Sequence, residues 1–362
     1  MVTMFEFEKP ILYKAVIHTL NKYQAVPTFS TFEIDREEEM TYDFLLKHIN
    51  SLYHSREMKW ARFQEDSVVD CMMTDLDQNL DAFMEVTKDI SSLLHQVIYE
   101  NSSTLPSCDL AFVLFEMSEL LYFGCFKWNH KRFFVRGKEP TKDGNIWKLS
   151  NTEDLYLANR TKVDEGFLIH LKHKDIALID RKYMINSDEV QLLGEMLLKS
   201  DAGFSEKEKF QEFKEITTNL EDKFVGEDFS QKAQVKKAVL DSVFEKGSVH
   251  IPTVIEQAFE EKSELKNIYE NAFQKANLWN EEIVIPETTL KKNYQKQHII
   301  TDEGIEVNIP VHLVNETDTV EFVLEENGKW SIVIKNIDMM KEKYPFLRKV
   351  LEIKAKFAKQ LL

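Results

Sequence analysis

The sequence predicts an α+β protein. A mixed α/β domain spans 1–185, a helical region spans 186–280, and a small β-rich part over 281–362 ends in a helix. Three observations carry this. Apolar residues alternate, or run in short blocks, up to about residue 185; they then recur at helical steps to about Lys275; after Trp279, short β-branched runs return between turn residues.

Taken in order, "PILYKAVIHTLNKYQAVPTFSTFEID" alternates apolar and polar residues, which predicts two strands meeting near Asn21–Lys22. Met40, Phe44, Leu45, His48, Ile49 and Leu52 keep a helical period over about 36–54. Leu76, Leu80, Phe83, Met84, Ile90, Leu94 and Val97 predict a second, longer helix. The blocks "LAFVLFEM" and "LLYFGCFKW" flank Ser118–Glu119 and read as a hairpin; "GFLIHLKHKDIALIDRKYM" reads as another, turning at about Lys172–Lys174.

The helical region begins, on this reading, at an N-cap on Ser187, with Asp188 and Glu189 in the first turn. Phe210, Phe213, Ile216, Leu220 and Phe224 mark one helix face. Val235, Ala238, Val239 and Phe244 mark another, and Gly247 and Pro252 punctuate before a helix over about 252–260. The strand runs "KQHIIT", "IEVNIPVHL", "TVEFVLE" and "KWSIVIKNI" follow, with Asn327–Gly328 as a hairpin turn, and "KYPFLRKVLEIKAKFAKQLL" closes as a helix.

Composition narrows the function. The 362 residues carry 62 acidic against 46 basic side chains, a formal charge of −16, which disfavours polyanionic partners unless positive charge gathers locally. No charged and apolar leader opens the chain and no stretch of about eighteen apolar residues occurs, so neither a signal peptide nor a membrane span is expected. Cys71, Cys108 and Cys125 lack metal-site spacing, and their odd number fits a reducing cytosol better than a disulfide framework.

Catalytic signatures are missing: there is no GxxxxGK[ST], GxGxxG, GxSxG or HExxH. His170 and His173, set on a strand, would point to opposite faces and make poor metal ligands. The acids and lysine of "VEFVLEENGKW" lack the spacing of a two-metal nuclease site. Neither enzyme activity nor a metal or cofactor is expected.

Positive charge does gather. Residues 127–148 hold seven Lys/Arg against two acids, interleaved with Trp128, Phe133, Phe134 and Trp147. Cations for phosphates and flat rings for bases make a nucleic-acid surface; the competing reading is a hairpin with its rings in the core and its cations in water. From Lys335 onward, eight Lys/Arg stand against three acids, which a solvated helix face would also explain. "LKKNYQKQH" at 290–298 is a smaller cluster. The candidate phosphate-contacting residues are Lys127, Lys131, Arg132, Arg136 and Lys138, with Arg348, Lys349, Lys354 and Lys356 on the terminal helix.

The order of elements resembles the bacterial nucleoid-associated (YejK/NdpA-like) family over about residues 8–337. "AVIHTLNKYQAVPTFSTFEID", "FLLKHINSLY", "DLAFVLFEMSELLYFGCFKWN", "GFLIHLKHKDIALIDRKY" and "EVQLLGEMLLKSDAGFSEKEKFQEFKEI" carry the resemblance, with "LKKNYQKQHIITDEGIEVNIP" and "VEFVLEENGKWSIVIKNI" near the end. The resemblance implies a cytoplasmic, nucleoid-associated, non-enzymatic protein that binds double-stranded DNA, forms an oligomer, expected as a homodimer, and works with topoisomerase-type partners. It supplies no binding residues. The alternatives are an adaptor that docks basic partners on Glu206, Glu208, Glu212 and Glu215, and a phage-defence or mobile-element DNA sensor.

Overall fold

A computed structural model describes residues 9–35, 37–141, 144–154, 162–226, 228–260, 262–314 and 319–338. The fold is α+β, as the sequence predicts. Where the sequence suggested breaks at 185 and 280, the chain divides into two compact units, Met1–Lys209 and Phe210–Leu362. The helical and β-rich stretches after residue 210 share a core: Ala233 and Phe229 pack with Ile299, Ile309, Val320 and Phe322.

The first unit is built on one seven-stranded antiparallel sheet. Its order is β1 (Ile11–Leu20), β3 (Cys108–Met117), β4 (Leu120–Asn129), β7 (Gly166–His170), β8 (Ile176–Ile179), β2 (Lys59–Phe63) and β11 (Ser200–Ala202). Helix α1 (Glu39–Tyr53) packs Leu45, Ile49 and Leu52 with Ala111, Val113, Phe115 and Phe126 on one face. Helices α2 (Val68–Gln78) and α3 (Phe83–Glu100) pack Val69, Met73, Ile90 and Leu94 with Leu110, Phe112, Leu114 and Phe123 on the other. Alternate residues of β3 therefore enter opposite cores, which explains its unbroken apolar run. A Cβ at Gly166 would lie 2.6 Å from the Cys125 carbonyl oxygen, so β4 and β7 approach this closely because that position is bare.

Three expectations change. Residues 23–34 do not form a second strand; they are tied to β1 by one bridge, Thr19 to Thr28, and by Ile34 N–H donating to Ala15 O at 2.8 Å. Pro27 removes a ladder donor within that stretch. The long helix expected across Leu76–Val97 breaks at Asn79, whose extended backbone (φ −142°) and side-chain oxygen, accepting from Asp81 N–H, end one helix and start the next turn. Ser187 is not an N-cap. With Asn186 (φ 52°) and Ser187 (φ 76°) it makes the two-residue turn between β9 (Lys182–Ile185) and β10 (Asp188–Gln191). Positive φ at both positions suits a hairpin and is incompatible with the extended backbone of a cap.

The β3–β4 turn at Ser118–Glu119 has the same geometry, φ 52° and 61°, and falls where the sequence placed it. At its far end β4 runs on through His130 into a hairpin of β5 (Lys131–Thr141) and β6 (Gly144–Asp154). The division between the units falls within the sequence of helix α4 (Glu206–Leu220).

In the second unit, Phe213 of α4 packs with Val239 of α5 (Phe229–Lys246), Ile255 of α6 (Ile251–Ala258), and Tyr269 and Phe273 of α7 (Ser263–Lys275). Gly247, at φ 78°, ends α5 in the left-handed conformation. The short strands β12 (Val249–His250) and β13 (Glu282–Ile283) pair, and helix α8 (Glu287–Asn293) follows. Hairpins β14–β15 (Lys296–Ile300, Glu306–Pro310) and β16–β17 (Val320–Leu324, Trp330–Ile334) close the described chain, the latter turning at Gly328 with φ 76°. The terminal helix expected beyond Lys341 lies outside the described residues.

One carboxyl in this unit makes stability depend on pH. Burial lifts Glu221 to about 7, against the opposing pull of Lys232 and Lys236. The fold therefore holds its proton more tightly than the unfolded chain does. That contribution is complete below about pH 4.5 and is lost as pH rises through 7. Glu221→Gln should gain thermal midpoint relative to wild type between pH 5 and pH 8. A gap of equal size at both pH values refutes this account.

Candidate nucleic-acid interface

The β5–β6 hairpin forms a two-stranded sheet of its own, in register from Lys131 opposite Asp154 to Thr141 opposite Gly144. Strand alternation sorts its side chains into two faces. One carries Arg132, Phe134, Arg136 and Lys138, with Trp147, Leu149 and Asn151 from β6; the other carries Lys131, Phe133 and Val135, with Ile146, Lys148 and Ser150. Lys131, Arg132, Arg136 and Lys138 are all exposed. The reading with buried rings holds for Trp128, which packs on the core beside Phe44 and His48, and Phe133 is half-buried. It fails for Phe134 and Trp147, 70 % and 58 % exposed, beside which Leu149 is 72 % exposed. The Arg136 guanidinium lies over the Trp147 ring, 4.3 Å from its centre.

The register also grades the cations. Lys131 and Arg132, nearest the root, stand opposite Asp154 and Glu153, whereas Arg136 stands opposite Leu149 and Lys138 opposite Trp147. Over 131–154 the sequence holds six Lys/Arg and four acids, with acids at the root and around the tip. Positive charge is thus least opposed in the outer middle of the arm.

Lys127 does not belong to this surface. It is 1 % exposed, and its ammonium donates to Asn129 Oδ1 (2.6 Å), Glu165 Oε2 (2.9 Å) and Tyr183 OH (3.0 Å). Burial opposes its charge, but Cys108, Glu165 and Tyr183 around it outweigh that and hold its pKa above the ordinary lysine value. Strand alternation explains the error: in β4, Lys127 continues the phase of Phe123 and Cys125 into the core. The same cluster fastens the root of the arm. Asn129 Nδ2 donates to Glu165 Oε2 at 2.7 Å, Tyr183 OH donates to it at 2.7 Å, and His130 pairs with Asp109 at 3.2 Å. Sequence reasoning missed Glu165 and Tyr183 because no motif joins residues 38 and 56 positions from Lys127.

The other candidates divide. Arg348, Lys349, Lys354 and Lys356 lie outside the described residues. In the 290–298 cluster, Lys291 pairs with Glu287, while Lys292 and Lys296 are exposed. The acidic docking surface is partly occupied within the molecule: Glu208 pairs with Lys59 at 2.8 Å and Glu206 with Lys209 at 3.1 Å. His170 and His173 do not diverge. They stack with ring centres 4.5 Å apart, because His173 sits in the turn, where its N–H donates to His170 Nδ1 at 2.7 Å. Among the described residues, no group of three or more His, Cys, Asp or Glu is placed to hold a metal ion, and no helix is long and apolar enough to cross a membrane.

The model of one protein family, NA37, described as nucleoid-associated protein YejK, matches residues 16–341. No curated protein matches the chain.

Proposed function

The chain belongs to the nucleoid-associated protein YejK family, and from that premise we propose that it is a non-enzymatic, cytoplasmic protein that binds double-stranded DNA at the nucleoid. The observation that carries the reading is the β5–β6 arm, whose Arg136 and Lys138 share one face with exposed aromatic and aliphatic side chains. Arg132, Arg136 and Lys138 contact phosphates, with Lys131 and Lys148 reaching the backbone from the opposite face. Cations on phosphates position a protein without reading bases, so selectivity is weak and the role architectural or regulatory. A two-fold dimer would present the arm twice and double the phosphate contacts.

Local cations suffice despite the overall charge of −16. Each neutralised phosphate contributes about −0.9 to the slope of log K against log salt, and the neutralisation is local. Filter binding of the full chain to a duplex across salt concentrations tests the reading. Three to five contacted phosphates give a slope between roughly −2.7 and −4.5. Failure to retain duplex at low salt, or a slope near zero, overturns it.

A further inference from the structure

We propose that Phe134 and Leu149 are an apolar wedge that opens a base step and bends the duplex; the inference rests on the DNA-binding reading above and adds the shape of DNA the arm selects. The arm has a physical difficulty that cations alone do not resolve. A lone two-stranded hairpin is marginal in water. This one nonetheless exposes Phe134, Trp147 and Leu149 on one face and Val135 and Ile146 on the other. Phosphate contacts cover none of that apolar surface.

The arrangement on the first face is specific. Phe134 pairs with Asn151 and Leu149 with Arg136, so Phe134 and Leu149 are diagonal neighbours across the ladder, within side-chain reach. Trp147 is already covered on one side by the Arg136 guanidinium. Phe134 and Leu149 are therefore the most exposed apolar pair on that face, bracketed along β5 by Arg132 and Arg136. Successive residues on one face of a strand are about 6.8 Å apart, close to two base-pair rises of about 3.4 Å. With β5 laid along the duplex, Arg132 and Arg136 therefore meet phosphates about two base pairs to either side of the step that Phe134 opens. Among polyanions, a duplex offers this phosphate spacing together with an apolar interior that a side chain enters by unstacking, which kinks the helix. Deformable pyrimidine–purine steps, mismatches and bulges are then the preferred sites, since they cost least to open.

The test uses the full chain and a duplex of about thirty base pairs carrying a donor and an acceptor dye at its ends, a length well below the ~150 bp over which DNA bends by itself. Wild type should raise energy transfer on binding and prefer a duplex with a central two-base bulge about tenfold over the intact one. Phe134→Ala/Leu149→Ala should lose both the rise and the preference, bind the intact duplex more weakly, and keep the salt slope set by the cations. Both side chains are exposed, so the variant's melting temperature should match wild type and exclude misfolding as the cause. Three results overturn the wedge: wild type binds with its salt slope but does not change energy transfer; the double variant bends as well as wild type; or the double variant loses affinity for single-stranded DNA alone, which makes the two residues a stacking platform. Absence of duplex binding by wild type instead removes the DNA-binding reading, and the wedge with it.

Discussion

Reversing Arg132, Arg136 and Lys138 to glutamate together should abolish duplex retention at moderate salt. These three share one face of the arm, so a duplex lying on that face meets all of them at once. Each lost phosphate contact removes about 0.9 from the salt slope, so the slope should flatten by roughly 2.7. Three new carboxylates add repulsion, and the loss of affinity at low salt should be on the order of a hundredfold or more. Reversal of Lys131 alone should do far less, because it lies on the other face and opposite Asp154. These side chains are exposed, so the thermal midpoint should stay near wild type. A well-folded triple variant that holds duplex with an unchanged slope takes the arm out of the interface; equal effects from Lys131 and from the triple set refute the assignment to one face.

Lys127→Ala should have the opposite profile, with a large effect on stability and none on the salt slope. Its ammonium is paired with Glu165 where neither side chain reaches water. Breaking a buried pair on one side strands the remaining charge and costs about 3–5 kcal/mol. For a unit of this size that lowers the thermal midpoint by roughly 10 °C. Glu165 is poorly placed to adapt, since its Oε1 already has no hydrogen-bond partner. Lys127→Met/Glu165→Leu should recover part of the loss, because it removes both charges and keeps Asn129 Nδ2 donating to Tyr183 OH at 3.1 Å, while Asn129 Oδ1 and the Tyr183 hydroxyl proton lose their partners. If Lys127→Ala melts like wild type yet weakens duplex binding, the ammonium reaches DNA after all. Intact binding at a reduced midpoint places it where the geometry does, under the arm's root.

Lys127 and Arg136 show how far the sequence could be read. Both sit in one basic, aromatic run and look alike there. The strand pattern of Ile11–Leu20 and of the two C-terminal hairpins was legible, as were the Ser118–Glu119 and Asn327–Gly328 turns, the helix faces around Leu45 and Phe213, and the order of elements shared with the family. Each of these depends on residues a few positions apart. Ser187 misled because Ser-Asp-Glu is equally good chemistry for a helix start and for the far side of a tight hairpin, and the pairing of Lys182–Ile185 with Asp188–Gln191 decided between them. Pro27 and Asn79 carried local signals that the wider apolar pattern hid.

The sequence by itself determined the α+β class, the family, and the clustering of cations with aromatic residues after Lys127. Only the tertiary structure decided which of those cations meet solvent, that Phe134, Trp147 and Leu149 share an uncovered face, and that Lys127 serves the core. The reason is range: secondary structure and turns follow from neighbours along the chain, whereas the fate of a charge is set by burial and by partners such as Glu165 and Tyr183, which folding alone brings within 3 Å.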